Sequence, residues 1–193
     1  MSTTTNIQLL TPQHWKDYEL IDCGDFEKLE RFGELILIRP EPQAVWPKTL
    51  GDAEWNKRHH IKFKGRSATS GEWLKKNLKS PDRWHIEYKN NDVAIKFRLA
   101  MTSFKHVGIF PEQAVNWDYI SDSVRKFSTP NPKVLNLFAY TGGASLIARA
   151  AGAETTHVDS IKQVVSWANE NQELSGIDNI RWMVEDALKF VKR

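Results

Sequence analysis

The sequence predicts an α/β protein in which an incomplete doubly wound parallel sheet follows a small β-rich domain. Two observations predict the parallel sheet. Short apolar runs alternate with helical patterns after residue 132, and the pair Gly142-Gly143 separates the first run from its helix. A third observation, alternating runs and turn residues before residue 100, predicts the β-rich part. We therefore expect a flexible tail at 1–14, a β-rich domain at 15–100 and an α/β domain at 101–193.

The composition limits the class of protein. The 193 residues are 40% hydrophobic and 11% aromatic, which is enough to build a core and argues against a disordered chain. No apolar run approaches the ~20 residues of a membrane span, and no secretory signal pattern is evident. Cys23 is the only cysteine, and no His/Cys set has zinc-site spacing. We expect a cytoplasmic protein with no membrane segment and no metal.

The region before residue 100 contains one clear strand and one clear hairpin. Residues 35–38 are an aliphatic run that ends at Arg39-Pro40, because proline cannot donate within a sheet. Residues 84–88 and 93–99 alternate around the turn residues 89–92, which is typical of a hairpin. Residues 15–32 mix acids with apolar side chains and show no clean period.

Tryptophan is abundant in this chain, with eight copies, six of which precede residue 120. Large aromatic side chains stabilise small domains, so a core role is the favoured interpretation. For Trp73 and Trp84 we keep stacking on nucleic-acid bases as the alternative.

Residues 56–79 carry an uneven share of the charge. Eight are Lys or Arg and one, Glu72, is acidic, whereas the whole chain has a net charge of only +3. A basic stretch with interleaved aromatic residues is typical of a surface that contacts RNA phosphates. A lysine-rich loop that keeps the protein in solution is the alternative. The basic residues are Lys57, Arg58, Lys62, Lys64, Arg66, Lys75, Lys76 and Lys79.

The parallel sheet is predicted to begin near residue 133. Val134–Phe138 is an apolar run of the kind that forms a strand buried on both faces. An Ala-rich segment then favours a helix to Ala151, with Gly152 as its end. Residues 155–158 predict the second strand, which closes on Asp159.

The remaining elements follow the same alternation. Residues 161–174 predict a second helix, which Ser175-Gly176 ends, and residues 180–184 a third strand. Residues 187–193 begin another helix. Upstream of the sheet, residues 110–113 turn the chain into a helix with apolar side chains at helical spacing.

The glycine positions indicate which ligand this sheet binds. A dinucleotide fold needs Gly-x-Gly-x-x-Gly to hold a pyrophosphate at the helix N-terminus. Phe138 and Tyr140 occupy the first two of these positions, so only one of the three glycines remains. A nucleoside without phosphates fits better, and S-adenosyl-L-methionine is the common one. Asp159 stands where a carboxylate can bind two ribose hydroxyls.

At this point a resemblance to a known enzyme family becomes specific. Residues 136–145, Asn-Leu-Phe-Ala-Tyr-Thr-Gly-Gly-Ala-Ser, resemble the first motif of the class I methyltransferases related to the 23S ribosomal RNA cytosine-5 methyltransferases. Residues 102–113 resemble the segment before the sheet in that group, and residues 167–171 and 185–187 its next elements. The resemblance implies a Rossmann-like sheet, S-adenosyl-L-methionine as cofactor and RNA as substrate.

The resemblance also implies a missing part. Methyltransferases of this class have a fourth strand that ends in an Asp-Pro-Pro motif, and no Pro-Pro occurs in this sequence. We therefore expect an N-terminal part of such an enzyme, inactive alone, with catalytic residues unknown and a homodimer left open. Methylation of a protein or small molecule, and a module that binds a nucleoside or RNA without catalysis, are the alternative functions.

The predicted cofactor site combines the glycine loop with the ends of neighbouring strands. Asp159 would accept hydrogen bonds from the ribose and Asp186 from the adenine amino group, with a helix-cap role as the alternative for each. Phe110 and Gln113 come from the resemblance alone, as a lid beside the cofactor. The complete set is Phe110, Gln113, Asn136, Phe138, Ala139, Tyr140, Thr141, Gly142, Gly143, Asp159, Ser160, Asp186 and Ala187.

Overall fold

The computed structural model describes residues 9–12, 15–67, 70–90 and 93–193. The predicted tail at 1–14 lies largely outside the described residues, and so do residues 91 and 92 of the turn predicted at 89–92. Within the described ranges, ten strands form a five-stranded, a three-stranded and a two-stranded sheet. The three-stranded sheet is parallel and follows the β-rich region, so the predicted fold class is confirmed.

The first half of the described chain contains seven strands and one helix. They are β1 (Tyr18–Gly24), β2 (Glu27–Phe32), β3 (Leu35–Pro40), α1 (Asp52–Arg58), β4 (Ile61–Gly65), β5 (Gly71–Lys75), β6 (Arg83–Lys89) and β7 (Ala94–Ala100). Strands β1 to β5 form one sheet in chain order, antiparallel except where α1 crosses over and makes β4 parallel to β3. Strands β6 and β7 are the predicted hairpin.

The second half alternates helices with parallel strands. A 3₁₀ turn at Pro111–Gln113 leads into α2 (Ala114–Lys126), β8 (Lys133–Leu137), α3 (Gly143–Ala150), β9 (Glu154–Asp159), α4 (Lys162–Leu174), β10 (Ile180–Val184) and α5 (Ala187–Val191). The sheet order is β10-β9-β8, so the carboxyl ends of all three strands meet at one edge. The helices and strands predicted here are confirmed, with small shifts at their ends.

One expectation for β8 is wrong. The strand was predicted to be buried on both faces, but the Leu135 side chain is 48% exposed. Its neighbour Val134 projects to the other face and packs with Val124 of α2 and Ala148 of α3. β8 is an edge strand of the described sheet. Whether a strand face is covered depends on residues far away in sequence, and the local pattern does not carry that information.

The sequence predicted β3 but not β1, β2 or α1. Glu30 and Arg39 face inward as a buried ion pair, in which Arg39 Nε and Nη2 donate to the Glu30 carboxylate at 2.8 and 2.9 Å. Tyr18 donates to the same carboxylate at 3.0 Å. Because charged residues occupy inward positions, the alternation that marks a strand is obscured. In α1 the one buried side chain is Trp55, whose Nε1 donates to Asp22 at 2.8 Å.

The β6–β7 hairpin joins the two halves of the molecule. It pairs with no other strand among the described residues, and it packs against α4. Trp167 Nε1 on that helix donates to the Arg98 carbonyl at 2.8 Å, and the Arg98 guanidinium lies 4.2 Å from the Trp167 ring centroid. The main hydrophobic core therefore continues across residue 100.

Aromatic side chains form the centre of this core. The Trp117 ring lies 5.1 Å from Tyr88, 5.4 Å from Phe97 and 5.5 Å from Trp15, measured between centroids. These four rings come from α2, the hairpin and the segment before β1. The core thus connects elements that are distant in sequence, as expected for tryptophans in a small protein.

Trp73 and Trp84 pack at the margin of the same core. Trp73 Nε1 donates to the Thr102 carbonyl at 2.8 Å, and Trp84 Nε1 donates to the Phe32 carbonyl at 3.2 Å. Both indoles are half-buried and anchored to backbone, which favours the core role over base stacking.

Within the described ranges, no helix combines the length and apolar character needed to cross a membrane. The same residues contain no group of three or more His, Cys, Asp or Glu side chains arranged to hold a metal ion. Cys23 is half-buried and reduced.

Gly108 should tolerate substitution much less well than Gly152. The two have similar φ values of +102° and +107°, but a Cβ on Gly108 would lie 2.2 Å from Trp167 Cζ2, whereas nothing lies within 4 Å of a Cβ on Gly152. Gly152→Ala should lower the free energy of unfolding by about 1–2 kcal/mol through backbone strain. Gly108→Ala adds overpacking, for a total of about 2–4 kcal/mol. Urea denaturation measures both, and equal losses would mean that Trp167 moves aside freely.

Candidate functional site

The loop between β8 and α3 lies at the edge where the parallel strands end. Phe138, Tyr140 and Gly142 have positive φ values of 54°, 51° and 91°. Gly142 needs glycine for this backbone, and a Cβ on Gly143 would lie 2.7 Å from Trp117 Cζ2. The glycine pair therefore has two different causes, backbone conformation at the first position and packing against α2 at the second.

This loop forms one wall of a cavity of about 480 Å³. The other wall is the segment around the 3₁₀ turn, so the structure brings the two predicted parts of the site together. Eight of the predicted residues line the cavity: Phe110, Gln113, Asn136, Phe138, Ala139, Tyr140, Thr141 and Gly143. Five further lining residues were not predicted: Ile109, Glu112, Trp117, Leu137 and Ala144.

The missed residues had signals of different strength. Glu112 lies between the predicted Phe110 and Gln113, so its position in the same turn could have been used. Trp117 was assigned to the core from its helical spacing, and it does pack there while one part reaches the cavity. A side chain with both roles gives only the stronger signal in a sequence pattern.

Asp159 ends β9 and ties the loop to the next strand. Its Oδ2 accepts the Tyr140 N–H at 2.9 Å, and its Oδ1 accepts the Ile161 N–H at 3.0 Å. The second bond lies in the turn before α4 and not within the helix, whose first turn receives no side-chain cap, so Asp159 does not cap α4. Asp159 does not line the cavity, but it lies on the same edge of the sheet.

Asp186 follows β10 on this edge and caps α5. Its Oδ1 accepts the Lys189 N–H at 3.0 Å, which is the cap geometry that the sequence left as the alternative. Ala187 is buried directly behind it, and Ser160 is exposed beside Asp159. Glu185 N donates to the Asp159 carbonyl at 3.1 Å, which brings the ends of β9 and β10 together.

Contacts between aromatic rings connect the glycine loop with the segment upstream of α2, residues 102–113, which we call the upstream segment. The Phe110 ring lies 4.9 Å from Tyr140 and 5.0 Å from His106, measured between centroids. Burial raises the pKa of Tyr140, and burial lowers the pKa of His106, with Arg39 and Lys105 acting in the same direction. Both rings are therefore held in their neutral forms at neutral pH.

A buried chain of hydrogen bonds fixes the distance between the two walls. Arg98 N donates to Asn171 Oδ1 at 2.8 Å, and Asn171 Nδ2 donates to the Thr141 carbonyl at 2.9 Å. Thr141 Oγ1 then donates to the Gly108 carbonyl at 2.6 Å. Asn171 is fully buried and Thr141 is nearly so. The chain joins hairpin, α4, loop and upstream segment.

Asn136 is held in place by a second buried network. Its Nδ2 donates to Ser145 Oγ at 2.9 Å, and Ser145 Oγ lies 3.0 Å from His157 Nδ1. Burial lowers the His157 pKa to about 4, against a smaller opposing effect of Asp159, so the imidazole is neutral. Its Nε2 has no hydrogen-bond partner among the described residues, and its ring lies 4.5 Å from Trp182. The network leaves Asn136 Oδ1 as the amide atom available to accept from the cavity.

Comparison with known proteins shows which proteins this chain is similar to. No protein-family model matches the chain. The ribosomal RNA large subunit methyltransferase K/L of Shewanella frigidimarina is 31% identical over 114 residues, 58% of this chain. The structure of a S-adenosylmethionine-dependent methyltransferase from Agrobacterium tumefaciens has a TM-score of 0.83 and 42% identity over 92% of this chain. This chain is related to the S-adenosylmethionine-dependent methyltransferases. The resemblance indicated by the motifs is thereby confirmed.

The match covers most of this chain but only part of each relative. The chain spans 55% of the Agrobacterium protein and 15% of the Shewanella frigidimarina enzyme. The methyltransferase K/L of Shewanella sp. strain MR-4 is 29% identical over 169 residues, 82% of this chain and 21% of that enzyme. A Streptococcus mutans structure, with a TM-score of 0.69 and 18% identity, shares the fold.

The free energy of unfolding should depend on the protonation of His157. Its pKa falls from 6.5 to about 4 on folding, so between these values the unfolded chain binds a proton that the folded chain does not. Stability should therefore rise from pH 4 to pH 6.5, by a contribution of the order of 3 kcal/mol, and lose this dependence at higher pH. Burial lowers the pKa values of His59 and His106 too, which adds to the slope in the same direction.

A variant isolates the share of His157 in that slope. His157→Phe keeps a ring beside Trp182 and should reduce the slope by about one proton in this window. Exposed His85 on β6 provides the matched control variant, His85→Gln. Urea denaturation at several pH values measures the effect, and an unchanged slope in His157→Phe would contradict the assignment.

Proposed function

We propose that this chain forms the S-adenosyl-L-methionine-binding part of a methyltransferase that acts on RNA. The observation that carries the proposal is the cavity of about 480 Å³, which the glycine loop, Asn136 and the Phe110–Gln113 segment share. Its volume suits a small ligand. The relatives include a S-adenosylmethionine-dependent methyltransferase and a ribosomal RNA methyltransferase, which supports the same cofactor and substrate.

The cofactor would lie across the carboxyl ends of the strands. The cavity beside Phe110 suits the methionine part, and the edge formed by β9 and β10 suits the adenosine part. There Asp159 and Asp186 supply acceptors for ribose and adenine. Ile161 and Val184 adjoin these acids with side chains 53% and 51% exposed, and they offer an apolar surface to a purine ring.

The hydrogen bonds already made by these acids leave room for a ligand. An ionised carboxylate has about four acceptor sites, and Asp159 uses one on each oxygen for the Tyr140 and Ile161 N–H groups. Asp186 uses Oδ1 for its cap. The Ala187 N–H lies in the first turn of α5, where a helix cannot satisfy it internally. Structural and ligand roles are therefore compatible at both acids.

The residues of the cavity would position the cofactor and exclude water. S-adenosyl-L-methionine supplies an activated methyl group on a positive sulfonium, and transfer from it depends mainly on the alignment of acceptor and methyl. The Phe110 and Tyr140 rings provide aromatic faces that attract positive charge. Asn136 Oδ1 could accept from the methionine amino group. No residue of this chain is assigned as a catalytic acid or base.

The basic stretch supports RNA as the substrate class, although ion pairs reduce its excess charge. Four of its residues pair with acids, in Arg58–Glu54, Lys62–Glu27, Arg66–Glu72 and Lys75–Asp82. Surface pairs of this kind are weak, so phosphates can compete for them. Four exposed residues form no ion pair with a described residue, and one of them, Lys76, donates to the Asn56 carbonyl: Lys57, Lys64, Lys76 and Lys79.

We also place the protein in the cytoplasm, a location consistent with the reduced, half-buried Cys23. Pairing of two copies is a further proposal, consistent with the exposed Leu135 on edge strand β8. Light scattering measures the oligomeric state directly.

Two other functions would use the same fold. A protein or small molecule could be the methyl acceptor, in which case cofactor binds but RNA does not. A binding module without catalysis would hold nucleoside or RNA and transfer nothing. Calorimetry with cofactor and binding measurements with RNA separate the first from the proposal, and turnover of labelled cofactor separates the second.

Removing the Asp186 carboxylate should weaken cofactor binding without unfolding α5. Asp186→Ser keeps a side chain that caps a helix well, so the cap is preserved while the charged acceptor is lost. Asp159→Asn similarly keeps the size of its side chain. Each variant should weaken S-adenosyl-L-methionine binding by about 1–3 kcal/mol, the worth of charged hydrogen bonds. Isothermal titration calorimetry measures the change.

The control for both variants is Glu154→Ala, at the opposite end of β9 and exposed. It should leave the affinity unchanged. Thermal unfolding recorded in parallel separates loss of fold from loss of contact. Parent-like affinity in Asp186→Ser would leave Asp186 with its cap role alone, and a parent that binds no cofactor would overturn the proposed function.

The unpaired lysines should account for more of the RNA salt dependence than the paired residues. Replacing Lys57, Lys64 and Lys79 by alanine should flatten the slope of log affinity against log salt by up to about two units, since each phosphate contact on a single strand contributes ~0.7. A matched triple variant of Lys62, Arg66 and Lys75, which already have acidic partners, should flatten it less. Fluorescence anisotropy with a short labelled RNA measures both. If the variant of Lys57, Lys64 and Lys79 keeps the parent's salt dependence, the basic stretch serves only to keep the protein in solution.

A further inference from the structure

A second cavity of about 440 Å³ lies where the five-stranded sheet meets the segment upstream of the cofactor cavity. We call it the Phe104 cleft. Its described lining is mainly aromatic, aliphatic or small: Pro40, Pro42, Phe63, Gly65, Phe104 and His106, with Lys105 and two serines at the margin. Most of its lining comes from the basic stretch 56–79 and from residues 102–113, two segments that the sequence did not place side by side.

The rings of the cleft are presented in a way that suits stacking. Phe104 is 53% exposed, next to exposed Ser103 and half-buried Lys105. Phe63 is buried at the base and is held edge-on against Trp73, with 5.0 Å between centroids. A fixed floor and an exposed ring at the rim give an unpaired base a π-face on which to stack. The cleft is also large enough for a small ligand.

The charge around the cleft suits a polyanion. No carboxylate is among its described lining residues, whereas Lys105 and His106 are. Exposed Lys64 is the neighbour of Phe63 on β4, so its side chain projects to the opposite face of the sheet and Lys105 is the one lysine of the described lining. The larger cavity of about 840 Å³, on the other side of the 3₁₀ turn, is lined by three glutamates and three basic residues, so its charges balance: Glu19, Glu41, Glu112, Lys16, Lys28 and Arg31. Of the two, the Phe104 cleft has the lining without carboxylates and is the better fit for a phosphate backbone.

The cleft adjoins the cofactor cavity through shared residues. Lys105 and His106 line the cleft and also a small gap of about 50 Å³, whose opposite wall includes Phe110. Phe110 in turn lines the cofactor cavity. Arg39 Nη1 donates to the Lys105 carbonyl at 3.2 Å and fixes this partition to the buried Glu30 pair. The two spaces are therefore neighbours separated by a rigid wall of rings.

We propose that the Phe104 cleft holds one unpaired base of the RNA strand, close along that strand to the base presented to the cofactor. The base stacks on Phe104, and its phosphate lies beside Lys105. Neutral His106 is placed to hydrogen-bond the edge of the base. This inference rests on the proposed function and adds to it a subsite that selects unpaired RNA.

The test compares two single-stranded RNA probes of about 12 nucleotides, within the ~4–16 typical of single-strand sites. One probe carries bases throughout, and the other has abasic nucleotides at its centre. Phe104→Ala should weaken binding of the first probe about 5- to 100-fold, the worth of one stacked base. It should leave binding of the abasic probe unchanged. Phe104→Trp should restore binding, because it keeps a stacking face.

The matched control is Phe127→Ala, which removes another exposed ring, 60% exposed, at the end of α2. It should bind both probes as the parent does. Equal binding of the base-containing probe by Phe104→Ala and parent overturns the inference, and so does an equal loss for both probes. Displacement of that probe by polyglutamate as readily as by unlabelled RNA would also overturn it, since charge alone would then explain binding.

Calorimetry with S-adenosyl-L-methionine keeps this result distinct from the proposed function. Phe104 does not line the cofactor cavity, so Phe104→Ala should bind cofactor as the parent does. A parent that binds RNA through Phe104 but binds no cofactor would contradict the methyltransferase proposal and leave the base subsite in place. A parent that binds cofactor but neither probe would overturn the subsite and RNA as the substrate class, and would leave the cofactor site in place.

Discussion

The hydrogen bonds through buried Asn171 are the constraint on which the site depends. One amide group accepts from the hairpin and donates to the glycine loop, and Thr141 extends the chain to Gly108. A buried polar group without a hydrogen bond costs free energy. Breaking one bond of this chain would therefore destabilise the partners of the others as well. The cofactor cavity therefore has its width set by residues that come from hairpin, helix α4, loop and upstream segment.

The Glu30–Arg39 pair plays a comparable role on the other side of the molecule. Arg39 donates two hydrogen bonds to Glu30 and a third to the Lys105 carbonyl. The five-stranded sheet therefore contacts the upstream segment directly. A buried ion pair adds little net stability compared with apolar packing, and breaking it by removing one partner is strongly destabilising. Its contribution here is geometric, because it fixes the backbone that separates the two cavities.

The parts predicted well from the sequence are those encoded locally. The alternation of apolar runs, glycines and helical patterns after residue 132 gave the strands and helices of the parallel sheet, since each depends on its own residues. The resemblance added Phe110 and Gln113, which line the cavity with the loop. Strands β1 and β2 were missed because each has a buried acid, Asp22 bonded by Trp55 and Glu30 bonded by Arg39, and a pattern of single residues treats an acid as exposed. The exposure of Leu135 and the pairing of Lys62 with Glu27 depend likewise on distant residues.

The left-handed residues of the glycine loop have a consequence for the thermodynamics of binding. Phe138 and Tyr140 adopt a conformation that side chains disfavour, at a cost of order 1–3 kcal/mol each, and the Asp159 carboxylate holds the Tyr140 N–H within it. The loop is thus preorganised by contacts within the chain, and most of its backbone entropy is lost on folding. A ligand that enters has little further ordering to impose there, so more of its contact energy appears as affinity. The charge on Asp159 thereby helps to set the shape of the cavity as well as its chemistry.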